Sequence, residues 1–296
     1  MKILFRSTAI FISIILIVVN LSACGEDATT DLQSFSDSKS SISTDTPSEI
    51  LNDIYTKDER QAIEKHISEA TNNAYSKLST PGIVLYSMCP KECDELSEIG
   101  LRGAPLLFTD LIDRYSLGTA SYQSYQSHLY YAEVLCAILR TDTTILRGFY
   151  NDLLKKDPNI TNCDSFGKEC VSSYYADAKE RIPEIIASND KFSDKAMKLI
   201  TYGVFAIPYV VREIEKGNTE YEQIFVGLGL HIDVPELKRR MPNYFLSWQE
   251  RFDSEAFLKG SENFDYKVWY EENKEDLENL FKFLDAYCAE YEAENK

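Results

Sequence analysis

Apolar residues recur at steps of three and four along most of the chain, which is the spacing of amphipathic helices. Stretches with this spacing predict helices over residues 57–78, 121–140, 144–155, 171–187, 192–216 and 265–292. Thr56 and Glu59 have the spacing of a capping box before the first of them. Pro208 interrupts the 192–216 pattern, and Gly217 offers the left-handed stop that ends many helices. The only run suited to a strand lies within 79–88 and could equally be extended coil, so the pattern predicts an all-α fold.

The first residues have a different pattern, that of an export signal. Lys2 and Arg6 precede an apolar run over 9–19 that is too short to span a bilayer. The four residues from Leu21 to Cys24, a Leu, two small residues and a Cys, resemble the lipobox of bacterial lipoproteins. This resemblance implies cleavage before Cys24, a diacylglycerol on its thiol, and a lipid-anchored protein on the extracytoplasmic face of the cell membrane. The alternative is a buried N-terminal segment that ends at a chance cysteine.

The chain therefore divides into three predicted parts. Residues 1–23 form the lipoprotein signal peptide, and residues 24–52 form a lipidated, disordered tether rich in Ser, Thr and acidic residues. A segment with so little to bury cannot offset the entropy of ordering. Residues 53–296 form the helical domain. The whole chain contains only 12 Gly and 9 Pro, which is few for a sheet-and-turn protein.

Charge narrows the class of partner. Removal of the signal peptide takes away two positive charges and moves the formal net charge from −17 to −19. A domain this acidic repels nucleic acid, so we expect no nucleic-acid partner. We expect contact with the membrane only through the lipid on Cys24. The surplus of carboxylates selects no other partner, because such a surplus is usually a solvated surface.

Six cysteines remain once Cys24 is assigned to the lipid. An even number in an exported protein permits disulfides, and two close pairs suggest local loops. The members of these pairs are Cys89 with Cys93, and Cys163 with Cys170. The other two, Cys136 and Cys288, fall on apolar faces of predicted helices, where a thiol behaves as a small hydrophobe. None of the three histidines lies near a cysteine pair, so we expect neither a metal site nor a cofactor.

Two segments of the chain match each other at an offset of 103 residues. Residues 99–111 align with 202–214, with Gly, Pro, an acidic residue and aliphatic positions in register around Pro105 and Pro208. This pattern resembles the α–α repeats of HEAT-type proteins over roughly residues 95–290. The resemblance implies a short solenoid with a concave binding surface. The alternative is an irregular helical bundle that contains two similar Pro-bent helices.

The motifs of common catalytic sites are absent from the sequence. It contains no Gly-x-Ser-x-Gly, His-Glu-x-x-His, Gly-x-Gly-x-x-Gly or phosphate-binding glycine loop, so we assign no catalytic residue. His66 is expected to be a half-buried surface histidine. The 19 tyrosines cluster, and the candidates for a binding surface are Tyr130, Tyr131, Tyr174 and Tyr175. The alternative is that these rings occupy half-buried positions on helices.

These observations favour a membrane-anchored, extracytoplasmic helical module that binds an envelope protein or a ligand and is not an enzyme. The alternative is an envelope hydrolase that uses paired carboxylates, for example on glycans. Forty-eight acidic residues offer many such pairs, and the sequence does not select one. A solute-binding lipoprotein fits less well, because that class usually alternates strands and helices.

Overall fold

The computed structural model describes residues 45–76, 90–116, 134–141, 163–240 and 258–294. These ranges are helical and contain no strand, which confirms the all-α prediction. The α-helices are α1 (Pro47–Ile54), α2 (Lys57–Ser76), α3 (Pro90–Ser97), α4 (Gly100–Ser116), α5 (Cys163–Ala187), α6 (Phe192–Thr201), α7 (Ile207–Glu215), α8 (Glu222–Gly227), α9 (Val234–Arg240) and α10 (Tyr266–Glu294). Residues 134–139 are also helical. Short 3₁₀ helices span Gly203–Ala206, Thr219–Tyr221 and Ser261–Asn263.

The helices predicted at 57–78 and 265–292 are confirmed as α2 and α10. The predicted 192–216 helix is divided, because it breaks after Thr201 and resumes at Ile207 next to Pro208. Gly217 follows α7 with a φ of 96° and supplies the predicted stop. The predicted strand at 79–88 and the 144–155 helix lie outside the described residues. None of the described helices is both long enough and apolar enough to cross a membrane.

The first helix, α1, begins inside the segment predicted to be a disordered tether and ends two residues beyond it. The predicted boundary at residue 52 therefore falls inside a helix of the domain. Thr46 and Glu49 form a complete capping box at the start of α1, in which the Glu49 N–H donates to the Thr46 hydroxyl at 3.3 Å. Ile50 and Leu51 are buried, and the helix packs against α10.

One hydrophobic core joins helices α1–α8, α10 and the helix at 134–139. The helices α4 and α10 both pack against α5, and Tyr174, Tyr175 and Ile182 of α5 are buried. The bulkiest side chains in the core are aromatic and almost fully buried: Phe205, Phe225 and Phe283. A core this continuous fixes the relative positions of the side chains at its edge.

The two matched segments share an unusual backbone feature. Gly100 and Gly203, which are 103 residues apart, have φ values of 58° and 60°, and each begins a helical segment. Leu107 and Val210 are equivalent in the alignment, and both are completely buried. The internal match is therefore a match of conformation as well as of sequence at these positions.

Candidate functional site

Two of the tyrosines predicted to form a binding surface lie in the core. The side chains of Tyr174 and Tyr175 are only 3% and 6% exposed. Both pack against Phe205, with ring centroids 5.4 and 5.8 Å away. The prediction is wrong for these two residues, because both rings lie on the face of α5 that packs into the core. Tyr130 and Tyr131 lie outside the described residues.

The helix α5 also contradicts one predicted disulfide. Cys163 and Cys170 both lie in α5, seven residues apart. Their Cα atoms are therefore about 10 Å apart, since a helix rises about 1.5 Å per residue. A disulfide needs a Cα separation below about 7 Å. Cys93 is completely buried in α3, while Cys89 and the lipidation candidate Cys24 lie outside the described residues.

The remaining predictions about thiols and histidine agree with the structure. Cys136 is completely buried, and Cys288 is half-buried against the core. Burial raises the pKa of the Cys288 thiol to about 11, so this thiol stays protonated at neutral pH. His66 is half-buried, and its Nε2 lies 2.8 Å from the carbonyl oxygen of Glu95. His66 thus joins α2 to α3.

A different set of tyrosines lies at the edge of the core, and we call it the tyrosine surface. It consists of Tyr209 on α7 and of Tyr266 and Tyr270 on the first turns of α10, all half-buried. The Tyr266 ring rests on the buried Phe225, with centroids 4.9 Å apart. The sequence analysis did not select these three. The sequence signal that could have identified two of them is the four-residue spacing of Tyr266 and Tyr270 at the edge of an apolar stripe.

Carboxylate charges act on two members of the tyrosine surface, Tyr266 and Tyr270. Burial together with the charge and hydrogen bond of Glu222 raises the pKa of Tyr266 to about 12. Burial also raises the pKa of Tyr270, and the nearby charges of Glu278, Glu215 and Glu271 add to the effect. The charge of Glu215 reaches both tyrosines, which places the end of α7 beside the start of α10.

Two cations of the chain already lie over rings of the tyrosine surface. The Arg212 guanidinium lies 5.7 Å from the centroid of the Tyr209 ring, and the Lys267 ammonium lies 6.0 Å from that of Tyr266. The Arg212 charge also reaches Tyr270, where it lowers the pKa and partly opposes the carboxylates. These distances are typical of cation–π contacts.

The densest polar cluster of the described residues lies elsewhere and is centred on Arg102. Its guanidinium donates to the Ile54 carbonyl at 2.8 Å and to the Glu59 carboxylate at 2.9 Å, and it lies 3.5 Å from Asp276. It also stacks over the Tyr55 ring at 5.0 Å, and the Tyr55 hydroxyl donates to the Arg102 carbonyl oxygen. We call these residues the Arg102 cluster. It ties α1 and α2 to α4 and α10.

The two carboxylates of the Arg102 cluster titrate differently. The hydrogen bond from Arg102 lowers the pKa of Glu59. Burial raises the pKa of Asp276, although Arg102 opposes that shift. Both carboxylates face one guanidinium, so the arrangement is chiefly that of an ion-paired brace between helices.

The described ranges contain no group of three or more His, Cys, Asp or Glu side chains placed to hold a metal ion. Comparison of the chain with protein-family models, with curated proteins and with solved structures gave no match. The candidate site therefore rests on the geometry of this chain alone.

Proposed function

We propose that this protein is a lipid-anchored, extracytoplasmic binding module whose helical domain contacts an envelope protein or ligand through the tyrosine surface. The anchor is argued from the four residues that end at Cys24. The binding role is carried by one observation: Tyr266 and Tyr270 are half-buried one turn apart at an edge of the core, and the charge of Glu215 reaches both.

Half-buried tyrosines suit recognition because each ring presents an apolar body and a polar tip. Tyr and Arg are enriched at protein interfaces, and both are present here. Tyr266 is held from beneath by Phe225, and Trp269 packs on the same ring at 6.4 Å. The surface is thus largely formed before a partner arrives, which reduces the entropy lost on binding.

The anchor also suits a binding module. One acyl chain gives only reversible membrane binding, whereas the paired chains that a lipobox implies give stable attachment. Attachment at Cys24 confines the domain to the membrane surface and so raises its effective concentration towards partners there.

Metabolic labelling with an alkyne-bearing fatty acid tests the anchor. We expect the wild-type chain to incorporate the label and the Cys24→Ala variant to carry none. Cys288→Ala is the matched control, because it removes a thiol from α10 while the lipidation residue stays intact. Label on Cys24→Ala, or its loss from Cys288→Ala alone, contradicts the proposal.

A hydrolase acting through Glu59 and Asp276 is the second candidate. The opposite pKa shifts of the two carboxylates favour it, since glycosidases separate an acid from a base in this way. The shared contact with Arg102 argues for a structural brace instead. Release of reducing sugar from cell-wall glycan by the wild-type chain, abolished in Glu59→Gln and in Asp276→Asn while both variants stay folded, would replace the binding proposal.

A further inference from the structure

We infer that α1 is a strap, a helix that releases from α10 as a unit while the rest of the fold stays intact, and that its release lengthens the link between Cys24 and the domain. The release is a property of the fold itself, whereas its consequence for reach rests on the proposed lipid anchor. Two observations lead to the inference: the packing of α1, and the contacts that hold its two ends.

Of the elements that the structure describes, α10 is the one against which α1 chiefly packs, and α1 buries Ile50, Leu51 and Ile54. By contrast, α4 packs against α2, α5 and α10, and α5 packs against α4, α6 and α10. A helix of eight residues is not stable in isolation. The strap therefore depends on one surface, and it unfolds when it leaves that surface, while the contacts among the other helices remain.

The polar contacts of α1 with its neighbours are few and mostly exposed. The Lys282 ammonium lies 3.4 Å from the Asp53 carboxylate, and Asn52 accepts a hydrogen bond from α2 at 3.0 Å. Exposed contacts of this kind add little stability. The half-buried Arg102 guanidinium, which donates to the Ile54 carbonyl at 2.8 Å, is the stronger tie. Release of the strap thus breaks one such tie and one apolar contact surface.

The hinge of the strap lies at Tyr55, between α1 and α2. The backbone of Tyr55 is extended, with a φ of −118° and a ψ of 141°. Its buried ring lies under the Arg102 guanidinium, and its hydroxyl donates to the Arg102 carbonyl oxygen. These contacts join Tyr55 to α4 and do not require α1 to be docked. Opening therefore ends at Tyr55, and α2 stays in place.

Release changes the distance that the link can span. The eight residues of α1 cover about 12 Å as a helix and at most about 28 Å as extended chain, at about 1.5 and 3.5 Å per residue. The segment that joins α1 to Cys24 enters the strap at Thr46, the end opposite to the hinge. A pull between the membrane and the domain therefore acts first on α1, and it favours the open strap because that state is longer.

Hydrogen exchange at individual amides of the full chain, purified in non-ionic detergent, tests the strap. The reporter in α1 is the Ile50 N–H, which donates to the Thr46 carbonyl at 3.0 Å. The reporters in α10 are the amides of the buried Leu280 and Leu284. We expect protection at Ile50 to be at least about 100-fold lower than at the two α10 amides, because local opening needs less free energy than global unfolding.

Two variants separate release of the strap from global unfolding. Phe225→Leu changes the core on α8, where Phe225 packs against the start of α10. It should speed exchange at Leu280 and Leu284 about tenfold and leave Ile50 unchanged, because the closed and open strap lose the same contact. Leu51→Ala should speed exchange at all three amides at least about tenfold, because it weakens only the docked strap.

Equal protection at Ile50 and at the α10 amides overturns the inference, and so does faster exchange at Ile50 in Phe225→Leu. Either result leaves the proposed binding module standing, since that proposal does not require α1 to move. Absence of fatty-acid label from the wild-type chain has the converse effect. It contradicts the proposed anchor, and the exchange measurement, which does not involve the lipid, still decides whether α1 releases.

Discussion

Gly100 and Gly203 offer a controlled test of the internal match, because they have the same backbone conformation and different surroundings. At Gly100 an added Cβ would meet no atom within 4 Å. At Gly203 it would lie 2.0 Å from the carbonyl oxygen of Leu139 and 2.8 Å from the carbonyl carbon of Arg140. Substitution by alanine therefore has the same conformational cost at both positions and a steric cost at only one.

The magnitudes follow from these surroundings. A left-handed conformation costs a non-glycine residue roughly 1–2 kcal/mol, and the reduced freedom of the unfolded chain returns about 0.4–1 kcal/mol. We therefore expect Gly100→Ala to lower the free energy of unfolding by about 1 kcal/mol. Gly203→Ala must also displace the backbone at 139–140, so we expect a loss of at least about 3 kcal/mol.

The displaced segment is itself held in place, which is why the cost at Gly203 is not relieved easily. Arg140 adopts a positive φ of 57° at the end of the 134–139 helix, and the Thr141 N–H donates to the Cys136 carbonyl at 3.0 Å. The buried Arg140 guanidinium donates to the Ile232 carbonyl at 2.7 Å. Chemical denaturation of both variants measures the difference. Equal losses for the two glycines would refute the close approach at Gly203.

Two further predictions concern the Arg102 cluster. Arg102→Leu should lower the free energy of unfolding by about 2–3 kcal/mol, mostly through the lost hydrogen bond to Ile54 and the lost ring contact, since the half-exposed ion pairs add little. Arg181→Leu is the control, because Arg181 is exposed and pairs among the described residues only with carboxylates of its own helix, α5. Its free energy of unfolding should equal that of wild type. Similar losses of stability in Arg102→Leu and Arg181→Leu would contradict the role of Arg102 as a brace between helices. Because the pKa of Glu59 is lowered in the folded state, its carboxylate stabilises the fold above the unfolded pKa, and this stability is lost as pH falls through the folded pKa. The loss of stability that Glu59→Gln causes at pH 7 should therefore vanish in acid. The raised pKa of Asp276 has the opposite effect: its contribution to stability is complete below the unfolded pKa and is lost as pH rises through the folded pKa. The free energy of unfolding of Asp276→Asn should therefore increase relative to that of wild type as pH rises. Identical dependence of stability on pH in Glu59→Gln and Asp276→Asn would contradict the assignment.

The long helices were predictable because their apolar spacing extends over many turns. The short helix α1 was missed, since three buried residues in eight make a weak pattern. Its signal was the capping box of Thr46 and Glu49. At Thr56 the same motif is only half formed, because the Glu59 N–H donates to the Thr56 hydroxyl at 3.2 Å while its carboxylate binds Arg102, 43 residues away. Local motifs thus mark where helices start better than they show where a side chain binds.

The candidate site was less predictable than the fold. Tyr174 and Tyr175 look like surface residues in the sequence, yet α5 is packed between α4 and α10. Glu215 and Tyr270 come together only because α7 ends beside the start of α10, about 50 residues later in the chain. Spacing along one helix reveals which residues share its face. It does not reveal which neighbour covers that face.

The most direct test of the account is hydroxyl-radical footprinting of the tyrosines in isolated membranes and in the purified chain. We expect Tyr209 and Tyr270 to be oxidised less in membranes, where a partner covers them, and to lose this protection at about 1 M salt, where the Debye length is about 3 Å. Tyr202 on the α6 side, half-buried and bonded to Asp177 at 2.9 Å, should be oxidised equally in both samples. Equal oxidation of Tyr270 in membranes and in the purified chain would contradict the assignment of the tyrosine surface as the binding site.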